Sequence, residues 1–164
     1  MNLPSHHAGI PDSFSEEVTV AAPISVVWER LVSLQSMREW LGGSDFSIDV
    51  DTTWEEGSAI VIRGLHHKRF ESRGTVLAFK PCEALILTHL SSLSGLPDLP
   101  CNYTTLSFML EDTGSQTIVR FVASGFPTQS IYKHLQFYWM GTLDIFKRYV
   151  EESSVRSFPI NQQG

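Results

Sequence analysis

Two cysteines in 164 residues, Cys82 and Cys101, are too few and too isolated to staple a fold. They read as free, inert thiols, with Lys80 the only cation near either, and free thiols point to a cytoplasmic protein. Charge is also scarce. Charged residues make up 18% of the chain, the net charge is −6, and no basic run is longer than Lys68-Arg69. A nucleic-acid partner needs a basic stripe, so none is predicted, and an anionic membrane surface is disfavoured for the same reason. No apolar run approaches the roughly 18 residues of a membrane span. Residues 1–12 hold no lysine, arginine or apolar block, which excludes a secretory signal there. The six histidines are badly placed for a metal: His6-His7 lie near the start, His66-His67 are adjacent and would point to opposite faces of a strand, and no pair has helical i, i+4 spacing. There is no Gly-x-Ser-x-Gly elbow, phosphate-binding glycine loop or dinucleotide fingerprint, so no cofactor is predicted.

What is abundant is apolar surface, 42% of residues, enough for one domain with a sizeable core. Residues 128–152 read as one long helix. Ile131, Leu135, Tyr138, Trp139, Thr142, Phe146, Tyr149 and Val150 recur at three- and four-residue steps, and Lys133, Gln136, Asp144, Lys147, Arg148 and Glu151 take the other side. Before it the period is mostly two. A strand is expected over 14–20, helices over 24–33 and 34–40 with Gly42-Gly43 as the stop, then strands over 46–51, 58–64, 69–79, 84–90, 103–111 and 116–124. Asp112-Thr113-Gly114-Ser115 is a hairpin turn, and 91–101 is a long loop of the kind that forms rims or lids. The expected organisation is a flexible leader 1–13, one domain over 14–152 and a flexible tail 153–164.

Alternation selects an inner face. On the central strand it offers Leu85, Leu87 and His89 or Ile86, Thr88 and Leu90, and the first set is taken because Thr88 suits a solvated face. Leu106, Phe108, Val119, Phe121 and Ala123 join it from neighbouring strands, and Leu135, Tyr138, Trp139, Thr142 and Phe146 from the helix. Such a face either lines a space for an apolar small molecule or is filled as core. His89 is the one titratable group on it. It either orients a ligand and serves as acid or base, or is a buried neutral imidazole bonded to a neighbour, with Glu71 and Arg73 within reach unless both face solvent. One such group argues for binding rather than catalysis. Trp40 is placed at the mouth, as gate or plug, and Trp54 as a partly exposed partner contact. Two edge strands and an exposed loop suit a homodimer.

Several segments also resemble a known family. Val18-Thr19-Val20-Ala21-Ala22-Pro23 with Val27-Trp28-Glu29-Arg30-Leu31, then Trp40, then Gly74-Thr75-Val76 with Lys80-Pro81 and Leu85-Ile86-Leu87-Thr88, then 117–125, and finally Trp139-Met140-Gly141-Thr142-Leu143-Asp144 with Tyr149-Val150-Glu151 resemble, in order, the START/birch-pollen-allergen (SRPBCC) superfamily. Within it they look like the branch of the heat-shock-protein 90 ATPase activator C-terminal domain. The chain departs from the pattern at Leu41 (second of an aromatic pair), at His89 (often tryptophan) and at Ala123 (often histidine). The resemblance spans 14–152. It implies an α+β helix-grip fold: a curved antiparallel sheet of about seven strands, two short helices and one long C-terminal helix across it. It also implies either an apolar small-molecule ligand in the helix–sheet cavity or a co-chaperone-like, stress-response adaptor acting on a chaperone through its surface. A cyclase- or hydrolase-type enzyme using the same cavity is a further alternative.

Overall fold

A computed structural model describes residues 9–42 and 46–156, apart from the side chains of His66 and 154–156. The expected leader up to residue 8, including His6-His7, Gly43 of the expected helix stop, and the expected tail from residue 157 lie outside the described residues.

The first strand, β1 (Ser13–Val20), ends where Pro23 opens α1 (Ile24–Val32), and α2 (Leu34–Trp40) follows at once. Ser33 separates the two helices because its hydroxyl caps the second, accepting from the Ser36 amide at 3.3 Å. Six strands follow: β2 (Asp49–Thr52), β3 (Ala59–His66), β4 (Lys68–Lys80), β5 (Ala84–Ser91), β6 (Thr104–Asp112) and β7 (Thr117–Ser124). The last element is α3 (Gln129–Arg156), capped by Thr128 Oγ1, which accepts from the Ile131 amide at 3.1 Å. The sheet is antiparallel and open, in the order β1-β7-β6-β5-β4-β3-β2. The long helix lies across one face of it, giving the α+β helix-grip arrangement.

Two boundaries differ from the expected ones by three residues or more, and one loop is more ordered than expected. The strand expected over 46–51 starts only at Asp49, because Ser47 sits at φ 46°, a left-handed conformation that a strand cannot continue through. The helix expected to end at residue 152 runs to Arg156. The loop 91–101 is not structureless: it holds two short 3₁₀ turns, Ser92–Ser94 and Pro100–Asn102.

The second half of α3 is tied to β1. Lys147 Nζ donates to the Thr19 carbonyl at 2.6 Å, and Glu151 Oε1 accepts from the Ala21 amide at 3.0 Å. Beneath the helix, β1, β6 and β7 supply Val20, Phe108, Val119, Phe121 and Ala123, all buried in one cluster with Leu135, Trp139, Leu143 and Phe146. Each large side chain so buried contributes about 1.5–3 kcal/mol.

Candidate functional site

The inner face is closed on one side. Phe121 stacks on Trp139 with centroids 4.5 Å apart, Phe108 meets the same indole edge-on at 5.4 Å, and Trp40 packs on Phe146 at 4.9 Å. Val119, Phe121 and Ala123 are 0% exposed. A void large enough for water would give its walls accessible surface, so there is none against these three. Leu85, Leu87, Leu106, Leu135 and Thr142 are buried too. Trp40 stands in the core, its indole N–H donating to the Arg30 carbonyl at 3.2 Å, so it plugs that end.

The face differs on the β3–β5 side. Arg73 pairs with Leu90 and Val76 with Leu87, which leaves Gly74 and Thr75 facing Thr88 and His89. Here β4 closes in on β5: a Cβ on Gly74 would lie 1.7 Å from the Thr88 carbonyl oxygen, and the Thr75 amide donates to Thr88 Oγ1 at 2.9 Å. Only glycine permits that approach. His89 therefore has no side chain beside it on β4, and on β6 it faces buried Thr104. His134, on the first half of α3, lies close enough to act on it electrostatically.

Two groups define this region electrostatically. Burial pushes the His89 imidazole down to about 4, with His134 adding to the effect, so the ring is neutral at pH 7. Burial pushes the Tyr138 phenol up to about 12, against a hydrogen bond from Thr142 that works the other way. Desolvation of this size belongs to groups well inside the protein, yet both side chains are only half-buried. No buried side-chain nitrogen or oxygen among the described residues lacks a partner. The His89 ring has no hydrogen-bond partner among the described residues, and the side chain keeps partial exposure. Both groups are thus desolvated while keeping some exposure. Tyr138 donates to the Leu41 carbonyl at 2.5 Å.

Other expected partners are engaged elsewhere. Glu71 is held by Arg73 at 2.6 Å and Arg63 at 3.2 Å on the exposed surface, so neither Glu71 nor Arg73 serves His89. Trp54 is not a free contact: its indole N–H donates to the Val32 carbonyl at 2.8 Å and its ring stacks on Phe79 at 5.5 Å. The loop 91–101 is not a lid over His89. Tyr103 precedes Thr104, the partner of His89, so it alternates to the other sheet face, where its hydroxyl donates to Asp98 at 2.5 Å with Arg73 nearby. His134 was missed by the sequence reading, although its spacing from Ile131 and Tyr138 places it beside the inner stripe. Among the described residues, no group of three or more histidines, cysteines or carboxylates converges as metal ligands, and no helix is long and apolar enough to cross a membrane.

The family pattern described as "Activator of Hsp90 ATPase homolog 1-like protein" matches residues 21–151. The chain belongs to that family. Among solved structures, a protein from Cytophaga hutchinsonii is 31% identical, with a TM-score of 0.72 over 89% of this chain and 98% of its own. A protein from Chromobacterium violaceum, at 18% identity, has a TM-score of 0.75 over 87% and 99%. An Aha1 dimer from Colwellia psychrerythraea, at 20% identity, has a TM-score of 0.67 over 85% and 96%. The last two share the fold. No curated protein matches the chain. The strand β1 precedes the stretch that the family pattern matches.

Proposed function

We propose that this Activator of Hsp90 ATPase homolog 1-like protein binds an apolar small molecule carrying one polar group. The molecule would sit beside His89, between the first half of α3 and the β4–β5 side of the sheet. The observation that carries this reading is the state of His89: held neutral by burial, partly accessible, and without a hydrogen-bond partner on its ring among the described residues. A neutral imidazole offers one donor and one acceptor, so it suits a hydroxyl or carbonyl on an otherwise apolar ligand. The chemistry is binding. The group facing His89 is a second histidine, and an acid–base site would recruit a partner of different character.

The test is native mass spectrometry of the purified protein, alone and with 2-naphthol added, set against the denatured mass. A non-covalent adduct in the native spectrum, lost on denaturation and lost in His89→Trp, supports the reading. An adduct that His89→Trp retains at full strength overturns the site, and no adduct with or without 2-naphthol counts against the function.

The family's description favours a second reading, a co-chaperone-like role on an Hsp90-type ATPase, by analogy with the activator it names. Stimulated ATP turnover by such a chaperone in the presence of this protein is its signature; unchanged turnover removes it.

A further inference from the structure

The β3–β4 hairpin carries charge of the opposite sign to the rest of the chain. Residues 63–73 hold four cations, Arg63, Lys68, Arg69 and Arg73, against one anion, Glu71, in a chain whose net charge is −6. The register gathers them. Arg63 pairs with Glu71 and Leu65 with Arg69, and Gly64 lies opposite Phe70 between these pairs. Alternation puts Arg63, Leu65, Arg69 and Glu71 on one face of the sheet. Arg73, also on that face, pairs with Leu90, so His89 alternates to the opposite side. A groove of about 550 Å³ crosses the face here. Ser47 borders it on the β3 side, next to Phe46, whose carbonyl accepts from the Leu65 amide at 2.7 Å. Ser92 borders it on the β4 side, where its hydroxyl oxygen accepts from the Glu71 amide at 3.0 Å.

The two arginines of the groove are in different states. Arg63 is oriented: its Nε donates to Glu71 at 3.2 Å, and Glu71 is itself gripped by Arg73 at 2.6 Å. The hydrogen bond from Arg73 is the largest cause holding the Glu71 carboxyl below its usual range, so its charge is taken up within the sheet. The Nη edge of Arg63 is left without a hydrogen bond among the described residues. Arg69 is exposed, and no hydrogen bond or ion pair joins it to any described residue. An oriented guanidinium, a free one and hydroxyls on two sides supply donors from several directions. That suits a tetrahedral oxyanion better than a planar carboxylate. A phosphate monoester is close to a dianion at neutral pH, which matches the two arginines. The groove is larger than a phosphate requires, and Leu65, 47% exposed, offers the rest of the molecule an apolar wall.

We infer that this groove binds the phosphate group of a small phosphorylated molecule between Arg63 and Arg69. The site is on the opposite side of the sheet from His89 and independent of the binding proposed there. Isothermal titration calorimetry of the full chain with phenyl phosphate tests it, at pH 7.5 and at low salt, where screening is weak. The expected result is one site per chain. Arg69→Gln weakens it by at least about tenfold, since a charge-assisted hydrogen bond is lost. Circular dichroism of that variant matches the wild type, because Arg69 is exposed and unpaired. Arg148→Gln, which removes a surface arginine of α3, leaves the binding unchanged, and so does His89→Trp. Benzenesulfonate, the same ring with a single charge, binds more weakly. Absence of heat with phenyl phosphate overturns the inference. So does binding that Arg69→Gln leaves at full strength, binding that His89→Trp abolishes, or benzenesulfonate bound as tightly as phenyl phosphate.

Discussion

The Tyr138 hydroxyl donates to the Leu41 carbonyl at 2.5 Å, tying the first half of the long helix to the end of α2. The proposed binding site depends on that tie, because it fixes the first half of α3 relative to α2. Replacing Tyr138 by Phe leaves the Leu41 carbonyl without its donor. The expected loss is about 1 kcal/mol in urea denaturation, with faster amide exchange in the first half of α3 than in the half tied to β1.

Stability should depend on pH through His89. Its folded value of about 4 lies below the unfolded 6.5, so as pH falls the unfolded chain takes up the proton first. Stability is therefore lost as pH drops from 6.5 towards 4, and below 4 the effect is constant. At about 1.4 kcal/mol per unit the ceiling is about 3 kcal/mol; partial solvent access reduces this to about 1–2 kcal/mol. Denaturation at pH 7.5 and 4.5 checks it, and His89→Asn should show a loss smaller by that amount.

Gly74→Ala sets a methyl group against the Thr88 carbonyl, where a Cβ would lie 1.7 Å from the oxygen. The strands have to part, at a cost of about 1–3 kcal/mol. The melting temperature should fall. The His89 imidazole resonances should also move, because Gly74 is what leaves room beside that ring.

Trp139→Ala removes the indole on which Phe108 and Phe121 both pack. The expected destabilisation is about 3–5 kcal/mol, measured by denaturant unfolding.

The fold was legible because period-two alternation reports a half-buried strand directly. Leu106 and Phe108 face Ala123 and Phe121 across the hairpin whose turn is closed by the Gly114 amide donating to Asp112 at 2.8 Å. The helix stripe from Leu135 to Phe146 was equally plain. Which part of the inner face stays accessible was not legible, because leucine and phenylalanine look the same whether they fill a space or wall one. The fate of Trp54 depends on a carbonyl at Val32, twenty-two positions earlier, and local pattern carries no trace of such a contact. The loop 91–101 is harder to read for a related reason: its length suggests a rim or lid, but the face it covers is fixed by the alternation of Tyr103 against Thr104, the partner of His89. His134 lies at helical spacing from Ile131 and Tyr138, but a single polar residue beside an apolar stripe has the same pattern as one on a solvated face.

The most direct test of the proposed site is a fluorescence titration with 1-anilinonaphthalene-8-sulfonate, done in the Phe137→Asp background because Phe137 of α3 is 83% exposed and would itself attract the probe. The account predicts saturable, blue-shifted emission from one site per chain, abolished by His89→Trp while circular dichroism is unchanged. A dark probe with Phe137→Asp alone, or full binding when His89→Trp is added, contradicts it.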